Sequence, residues 1–324
     1  MKKIAFLTSG GDAPGMNATI RAVTRACVYN NLTPVGISKG FDGLINGDFV
    51  EMNARSVKGI INKGGTILKT ARSKGFRTIE GRKKAYDNLK KNNIDGLIII
   101  GGDGSFTGGL IFQKEFKIPV IGIPATIDND IYGTSHTIGY DTALNTVVDV
   151  IDKIRDTASS HNRLFFIEVM GKDAGHIALN TGVGAGAEEI LIPEQNLGLD
   201  RLVDSLKRSK ATGKSSSIVI VAEGDKIGKN VFELKDYVDE HLDGYDARVS
   251  VLGHLQRGGS PSCFDRVLAS RMGVKAVDVL LENKTNLMVG LINGLIKLTP
   301  LDKAIKGKEN INKELLRVSD IMSI

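Results

Sequence analysis

The chain has 324 residues, of which 41% are hydrophobic and 25% charged, and carries a formal net charge of +6 with a pI near 9.1. This composition is typical of a soluble globular protein and excludes a disordered chain, and the length fits one large domain or two lobes. No segment approaches the roughly 20 consecutive apolar residues that a membrane span requires.

Short runs of β-branched and aliphatic residues alternate with amphipathic segments of helical length along the whole chain. In chain order, strands are predicted within residues 2–9, 94–100, 118–124, 163–170, 188–194, 216–224 and 247–259, and helices within 16–30, about 105–115, 143–158, 199–210 and 264–283. Such alternation predicts an α/β fold in which helices cover both faces of parallel sheets.

In parallel sheets of this kind, ligands bind at the loops that follow the carboxyl ends of the strands. The predicted junction loops are TSGGDAPG (8–15), GGDGS (101–105), PATIDND (124–130), EVMGKDAG (168–175), AEGD (222–225) and GHLQRGGSP (253–261). Nearly all of them carry glycine, a charged residue or both, so functional residues are expected there.

The two glycine loops, 8–15 and 101–105, each follow a strand and open a helix. Backbone N–H groups and the positive end of a helix dipole can then face a phosphate, and glycine lets the backbone come close to it. Two nucleotide motifs fail: GGDAPG is not GxGxxG, and TGKSS (212–216) resembles the end of a Walker A motif but has Arg208 where the leading glycine belongs. The loops therefore predict a nucleotide site without identifying its class.

Asp103 lies inside the second glycine loop, where a carboxylate would repel bound polyphosphate unless a cation lies between them. Mg²⁺ resolves this conflict, because it binds one or two carboxylates together with phosphate oxygens. An ordinary Asp-Gly turn is the alternative, and this motif alone does not decide between the two.

The segment TIDND favours catalysis. If it is extended, Asp128 and Asp130 project to the same side, and the like charges make one carboxylate a better base for a phosphoryl-acceptor hydroxyl. A calcium loop starting at Asp128 is excluded because Gly139 falls where a bidentate Glu is required. A plain Asx turn remains possible.

Several cations near the junction loops fit a sugar phosphate, namely Arg163, Arg248, His254 and Arg257. Arginine forks suit bidentate phosphate recognition, and Arg72 could steady the transferred phosphoryl group. Each of them taken singly fits a surface salt bridge as well. Together they favour phosphate chemistry.

The positive charge does not predict nucleic-acid binding. The densest group, residues 81–91, fits the solvent face of an amphipathic helix, and no DNA- or RNA-binding motif accompanies it. Cys27 and Cys263 lack metal-ligand or CxxC spacing and are expected to be reduced, partly buried thiols. The apolar run after the N-terminal MKK is too short for a signal peptide, so a cytoplasmic protein is expected.

Nine segments together resemble bacterial ATP-dependent 6-phosphofructokinases over almost the whole chain, in family order and spacing. They are SGGDAPGMN, GGTIL-TAR, GGDGS, TIDNDI-GT, GYDTALNT, IDKIRDTASSH, EVMG, AEG and GHLQRGGSP-FDRVLAS. The resemblance implies transfer of the ATP γ-phosphoryl group to the 1-hydroxyl of fructose 6-phosphate, a step of glycolysis. It also implies two lobes, an ATP-binding lobe of residues 1–140 and 252–306 and a sugar-phosphate lobe of residues 141–251 and 307–324.

The resemblance also implies a role for each matching residue. Asp128 would be the general base, with Thr126 and Asp130 beside it; Thr126 and Arg72 would also be catalytic, and Asp103 would hold Mg²⁺. ATP would contact Gly11, Arg72, Ser73, Gly102, Asp103, Gly104 and Ser105. Fructose 6-phosphate would contact Thr126, Ile127, Met170, Gly171, Lys172, Glu223, His254, Leu255, Gln256 and Arg257, with Arg163 and Arg248 from a neighbouring subunit of a homotetramer.

Two positions imply that the phosphoryl donor is ATP rather than pyrophosphate. Pyrophosphate-using relatives carry an Asp and a Lys where this chain has Gly104 and Ala125, which leave room for ATP. The chain departs from the family at Lys172, where bacterial relatives have Arg, and at Ala125, where they have glycine. The first change replaces a fork by a point charge, and the second matters only if φ is positive.

An effector site for ADP or phosphoenolpyruvate is also implied by the resemblance. Its residues would be Arg21, Ala22, Val23, Thr24, Arg25, Arg155, Gly186, Ala187, Glu188, Lys214, Ser215 and Ser216. Gly59 falls where an acidic residue is usual and Thr212 where some relatives have a cation, so altered effector binding is expected. A solvated helix face is the alternative for Arg21 and Arg25 alone, and a catalytically weak nucleotide or sugar-phosphate sensor is the alternative for the protein.

Overall fold

Strands and helices alternate along the chain, as the sequence pattern predicts. The computed structural model describes residues 1–161, 163–195, 198–211, 216–225, 230–242 and 246–322. In these residues the strands are β1 (Lys3–Ser9), β2 (Thr33–Ile37), β3 (Phe49–Glu51), β4 (Gly96–Gly101), β5 (Val120–Pro124), β6 (Arg163–Val169), β7 (Glu189–Leu191), β8 (Ser217–Ala222), β9 (Asp246–Val251), β10 (Leu287–Ile292) and β11 (Leu295–Pro300).

The helices of the same described residues cover most of the segments between the strands. They are α1 (Met16–Tyr29), α2 (Gly40–Asn46), α3 (Ile79–Lys91), α4 (Asp103–Phe116), α5 (Tyr140–His161), α6 (His176–Gly184), α7 (Gly198–Ala211), α8 (Val231–His241), α9 (Cys263–Leu281), α10 (Leu301–Lys306) and α11 (Lys313–Met322). None of the helices in the described part of the chain is both long and apolar enough to cross a membrane.

The chain divides into two units, each with its own sheet and each discontinuous in sequence. Unit 1 contains Met1–Ile127, Ile131–Thr142 and Arg257–Glu309. Unit 2 contains Asp128–Asp130, Ala143–Gln256 and Asn310–Ile324. The predicted α/β class is confirmed in both units.

The sheet of unit 1 has the strand order β11-β10-β5-β4-β1-β2-β3. Its five central strands are parallel, and the edge strands β3 and β11 are antiparallel to their neighbours. The chain leaves β1 toward β2 on one side and leaves β4 toward β5 on the other, so the order reverses between β1 and β4. The loops that follow these two strands therefore flank the switch point at which such sheets bind ligands.

The core of unit 1 follows from strands that are apolar on both faces. All six residues of β4, GLIIIG, are buried, which is the pattern of a strand that helices cover on both sides. On one face Leu7, Ile99, Phe106 and Phe112 pack in a single cluster. Helices α1 and α9 lie against each other so closely that a Cβ at Gly273 would overlap Ala22.

Unit 2 is built on a smaller sheet with the order β7-β8-β6-β9, in which every pair is parallel. Strand β8 is buried throughout. Leu164, Phe166, Leu206, Val219 and Val221 form part of its core. Strand β9 is an edge strand whose residues are mostly half-buried or exposed.

Two predictions about side chains outside the site were wrong in part. The solvent face predicted for residues 81–91 holds for the lysines of α3, but Arg82 is buried and both Nε and Nη2 bind the Glu115 carboxylate at 2.6 Å. This hydrogen bond raises the pKa of Arg82 against the opposing effect of burial. Cys27 is buried, which raises the pKa of its thiol to about 12, whereas Cys263 is exposed rather than partly buried.

Candidate active site

The two glycine loops lie side by side in unit 1. Ser9, the last residue of β1, is opposite Gly101, the last residue of β4. Gly10 has a φ of 91°, which turns the chain out of β1, and α4 begins at Asp103, two residues after β4 ends. The first-turn N–H groups of α4 and its dipole therefore offer an anion site beside the first loop.

Asp103 is exposed in the first turn of α4, and its Oδ1 accepts a hydrogen bond from Gly104 N at 2.7 Å. A Cβ at Gly104 would meet no atom within 4 Å, so the fold does not require glycine there. No group of three or more His, Cys, Asp or Glu in the described ranges could hold a metal ion. A single carboxylate still fits Mg²⁺, because nucleotide oxygens and water supply its other ligands.

Thr126 lies next to the second glycine loop. A Cβ at Gly102 would lie 3.9 Å from Thr126 Cβ, and the carbonyl of Thr126 accepts a hydrogen bond from Thr137 Oγ1 at 2.6 Å. This contact follows from the register, since β4 and β5 are neighbours and Gly101 is opposite Pro124. The buried Ala125 has no positive φ, so its replacement of glycine causes no strain.

Arg72 and Ser73 are carried by an irregular segment of unit 1. Arg72 is exposed, and Ser73 Oγ accepts a hydrogen bond from Phe76 N at 3.1 Å at the start of a short 3-10 turn, Gly75–Arg77. Two buried residues, Thr8 and Asn17, bind the backbone that precedes Arg72, at the carbonyls of Lys69 and Lys63. The sequence did not predict a role for either residue. No local pattern singles out Asn17, because Arg21 and Thr24 share its face of α1.

TIDND is not extended, so the condition for projecting Asp128 and Asp130 to one side is not met. Asn129 has a φ of 53°, in the left-handed region, so the alternation that would project Asp128 and Asp130 to one side does not exist. Asp128 is buried, with 9% of its surface exposed. Asp130 instead pairs with Lys172, whose Nζ lies 3.5 Å from its Oδ2. Lys172 thus neutralises the neighbouring acid, a contact that the sequence did not predict.

The loop of residues 170–172 is held by two predicted substrate ligands. Glu223 Oε1 accepts hydrogen bonds from the N–H groups of Gly171, at 3.3 Å, and Lys172, at 2.7 Å. Gln256 is fully buried, accepts from Met170 N at 3.2 Å and donates to Gly253 O at 3.1 Å. Both side chains therefore orient this loop in unit 2.

Arg163 and Arg248 lie in neighbouring strands of unit 2 and share one carboxylate. Asp246 accepts from Arg163 Nε at 2.9 Å and from both terminal nitrogens of Arg248, at 2.8 and 2.9 Å. Arg163 begins β6, opposite Asp246 in β9. Sequence reasoning found the two arginines but missed Asp246, because this acid begins β9 one residue before the strand predicted from the sequence and belongs to no motif.

The remaining predicted sugar-phosphate cations lie on a short 3-10 turn, Gly253–Arg257, after β9. His254 and Leu255 are exposed. Arg257 is half-buried in unit 1, and its Nη1 donates to Asp12 O at 3.2 Å. This arginine therefore contacts the first glycine loop.

The predicted effector residues fall into two groups. In unit 1, Arg21 and Arg25 lie one turn apart on α1, and burial together with the Arg25 charge lowers the pKa of Arg21. In unit 2, Arg155 donates to the carbonyls of Ala185 and Gly186, at 2.6 and 2.9 Å, and Glu188 Oε2 accepts from Ile218 N at 2.6 Å.

The other positions named for the predicted effector site are mostly small or apolar residues. Ala22, Val23 and Thr24 are buried in α1. Ala187 is buried, Ser216 is half-buried, and Gly59 has a φ of 70° with no atom within 4 Å of the position that a Cβ would take. Lys214, Ser215 and Thr212 lie outside the described residues.

These features define a class of protein: a two-unit α/β protein whose two glycine loops lie side by side at the switch point of the larger sheet. Comparison with known proteins identifies the family. The sequence model described as Phosphofructokinase matches residues 3–280, and the chain belongs to the phosphofructokinase family.

Two bacterial relatives match this chain over nearly their whole length. It is 53% identical over 324 residues, covering 100% of this chain and 99% of the relative, to a protein named ATP-dependent 6-phosphofructokinase 2 from Bacteroides thetaiotaomicron. It is 51% identical over the full length of both chains to ATP-dependent 6-phosphofructokinase 1 from Thermus thermophilus. Among solved structures, phosphofructokinase from Saccharomyces cerevisiae matches with a TM-score of 0.90 and 36% identity over 94% of this chain. The chain spans 45% of that longer yeast chain.

Proposed function

We propose that this protein is an ATP-dependent 6-phosphofructokinase. It transfers the γ-phosphoryl group of ATP to the 1-hydroxyl of D-fructose 6-phosphate and releases fructose 1,6-bisphosphate and ADP, a reaction of glycolysis. The observation that carries the proposal is the full-length similarity, at 51% and 53% identity, to proteins of that name. The glycine loops and the acids Asp103 and Asp128 supply the parts that phosphoryl transfer requires.

ATP is proposed to bind with its phosphates over Gly11 and the Gly102–Ser105 turn, beside Arg72 and Ser73. The N–H groups at the start of α4 hold the phosphate oxygens, and the open space at Gly104 accommodates the nucleotide rather than a side chain. Asp103 would hold Mg²⁺, which when bound neutralises charge on the phosphate oxygens.

Asp128 is proposed to accept the proton of the sugar 1-hydroxyl as its oxygen attacks the γ-phosphorus. Its burial limits competition from water for that proton. Thr126 adjoins the cradle at Gly102 and would bind the transferred group. Arg72 would stabilise the charge on the phosphoryl group as the bond to ADP breaks.

Fructose 6-phosphate is proposed to bind at Ile127, at the loop of Met170, Gly171 and Lys172, and at His254–Arg257. Glu223 and Gln256 set the conformation of that loop through its backbone N–H groups. Arg163 and Arg248 would come from the neighbouring subunit of a homotetramer. Their position on β6 and the edge strand β9, where Arg248 is exposed, supports this assignment.

Regulation by ADP and phosphoenolpyruvate is part of the proposal. The support is the charge of Arg21 and Arg25 on α1, and the Arg155 and Glu188 side chains ordered by backbone contacts. A cytoplasmic location is also proposed, supported by two cysteines that form no disulfide.

The test is turnover of the purified protein with ATP, Mg²⁺ and fructose 6-phosphate, with ADP and fructose 1,6-bisphosphate both measured. We expect equal amounts of the two products, and no turnover without the sugar phosphate or with pyrophosphate in place of ATP. A folded protein that releases no ADP in this assay would exclude the proposal. Repeating it with tagatose 6-phosphate measures the strictness for the acceptor.

The role of Asp128 has its own test. Asp128→Asn retains the shape of the side chain and removes the base, so kcat should fall by about 100-fold or more while ATP binding by calorimetry is unchanged. Asp87→Asn, on the exposed face of α3, is the control that should alter neither quantity. Equal loss of binding and turnover in Asp128→Asn would assign Asp128 to binding instead.

A further inference from the structure

The segment of residues 62–73, called here the Arg72 loop, contains no helix or strand. Arg72 is exposed near its end, so packing of its own side chain does not determine where the guanidinium lies. The backbone of the loop must do so. Thr8 in β1 and Asn17 in α1 bind this backbone through their side chains, and Lys39 N and Ser260 Oγ bind the carbonyls of Leu68 and Asn62.

Asn17 uses its whole amide on the first half of the Arg72 loop. Its Nδ2 donates to Lys63 O at 3.1 Å and to Gly64 O at 3.0 Å, and its Oδ1 accepts from Ile67 N at 2.8 Å. An asparagine amide has two donor hydrogens and one acceptor oxygen. All are engaged, and the side chain is 2% exposed.

Two threonines continue this attachment toward Arg72. Thr8 Oγ1 donates to Lys69 O at 2.9 Å and lies 3.0 Å from Thr66 Oγ1. Thr70 Oγ1 donates to Gly10 O at 2.8 Å. The attachment therefore ends two residues before Arg72 and joins the Arg72 loop to the first glycine loop, to which Gly11 belongs.

A second asparagine of unit 1 also donates its side-chain amide to two backbone carbonyls, and no predicted site residue lies near it in sequence. Asn88 Nδ2 donates to Leu44 O at 3.2 Å and to Ile45 O at 2.8 Å, tying α3 to the end of α2. Loss of either amide leaves carbonyl groups unsatisfied and costs stability. Asn88 thus controls for the structural effect of such a loss, and only Asn17 bears on the Arg72 loop.

We propose that Asn17 is a positioning residue for phosphoryl transfer, acting through the Arg72 loop. Its amide holds the loop so that the Arg72 guanidinium meets the transferred phosphoryl group. The proposal rests on the role given to Arg72 in the proposed function. Displacement of a catalytic group by about 1 Å from a remote substitution can lower turnover by about 100-fold.

The experiment compares Asn17→Asp, Asn88→Asp, Arg72→Ala and the double variant Asn17→Asp with Arg72→Ala. Aspartate retains the Oδ1 acceptor but turns a second oxygen toward two carbonyls, so the loop must move. We expect kcat of Asn17→Asp to fall about 10- to 100-fold with the KM for fructose 6-phosphate unchanged. Asn88→Asp should lower Tm but retain kcat, and the double variant should match Arg72→Ala within about twofold.

Two results would overturn the inference. If the fold-loss of kcat in the double variant were the product of the losses in the two single variants, Asn17 would act independently of Arg72. If kcat fell equally in Asn88→Asp, the effect would be a general one of losing a buried amide. Normal kcat in Arg72→Ala would refute the role of Arg72 and the inference with it. A loss in Arg72→Ala with normal kcat in Asn17→Asp would refute only the inference.

A second variant covers failure of Asn17→Asp to fold. Thr70→Val removes one hydrogen bond, to Gly10 O, from a half-buried hydroxyl. It should lower kcat in the otherwise unchanged protein and have no further effect when Arg72 is alanine. The same fold-loss in both backgrounds would show that the attachment does not act through Arg72.

Discussion

The guanidinium of Arg257 donates a hydrogen bond to the backbone carbonyl of Asp12, at 3.2 Å, and lies against Gly11. A Cβ on Gly11 would overlap this guanidinium. Glycine at position 11 therefore lets Arg257, which is proposed to bind the sugar phosphate, reach the loop proposed to bind ATP. Because φ at Gly11 is not positive, alanine there would meet no backbone strain.

Gly11→Ala should therefore displace the Arg257 side chain and leave the fold intact. We expect the KM for fructose 6-phosphate to rise about 10- to 100-fold, the value of a charge-assisted phosphate contact, with Tm little changed. Steady-state kinetics of Gly11→Ala, Arg257→Ala and the double variant check this, since the two losses should not add. A rise confined to the KM for ATP would show that Gly11 serves the nucleotide alone.

Gly104→Asp should separate nucleotide binding from stability. A Cβ added at this position meets no protein atom within 4 Å, and in the first turn of α4 an acid is favourable to the helix dipole. We expect Tm to be equal to or above that of the unchanged protein, while the KM for ATP rises at least about 10-fold because the carboxylate occupies the space proposed for the nucleotide. Gly104→Ala is the control for size, and unchanged ATP kinetics in Gly104→Asp would contradict the proposed position of ATP.

Asp246→Asn should weaken sugar-phosphate binding by releasing two arginines together. Loss of the shared charge frees Arg163 and Arg248, which then sample more conformations before they bind phosphate. Because these pairs are partly exposed, we expect a moderate rise in the KM for fructose 6-phosphate, about three- to tenfold, and an unchanged KM for ATP. Asp239→Asn, which breaks the Lys235–Asp239 pair on α8, is the control. A lower KM would mean that Asp246 competes with the phosphate.

Asp265 should give the protein an unusual pH dependence of stability. It is fully buried in the first turn of α9 and accepts hydrogen bonds from Gly139 N, Thr142 N and Thr142 Oγ1, at 2.9, 2.8 and 2.5 Å. Burial raises its pKa from 3.8 to about 6, although the hydrogen bonds oppose the shift. Between about pH 4 and 6 the folded protein thus binds this proton more readily than the unfolded chain does. Its contribution to the free energy of unfolding falls by about 3 kcal/mol as pH rises through that range.

Denaturant unfolding of the unchanged protein and of Asp265→Asn, from pH 4 to pH 7, measures this contribution. The stability difference between them should shrink as pH rises. Asp95→Asn is a control of opposite sign: burial raises the pKa of Asp95, but hydrogen bonds from Lys2 and Lys3 N–H and nearby positive charge outweigh it and lower the pKa. Because the folded pKa of Asp95 lies below its ordinary value of 3.8, its stability difference is measured below about pH 4 and should grow as pH rises toward that value. A growing difference for Asp265 would mean that hydrogen bonds outweigh burial there too.

Predictions from sequence succeeded where neighbouring residues decide the structure. GGDGS predicted a strand, a glycine turn and a helix, and α4 does begin at Asp103. The same-side projection of Asp128 and Asp130 failed because it required an extended segment, whereas Asn129 adopts the left-handed conformation that Asn tolerates better than most residues. The predicted exposure of Arg82 was wrong because its partner, Glu115, lies on another helix.

The sequence by itself determined the α/β class, the glycine loops after β1 and β4 and the acids beside them, because each depends on periodicity or turn chemistry within a few residues. The tertiary structure decided which loops meet. Ser9 is opposite Gly101, Asn17 binds residues 63, 64 and 67, and Asp246 joins two arginines. These partners are set by strand order and by the need to satisfy buried polar groups across the fold, and no local pattern encodes them.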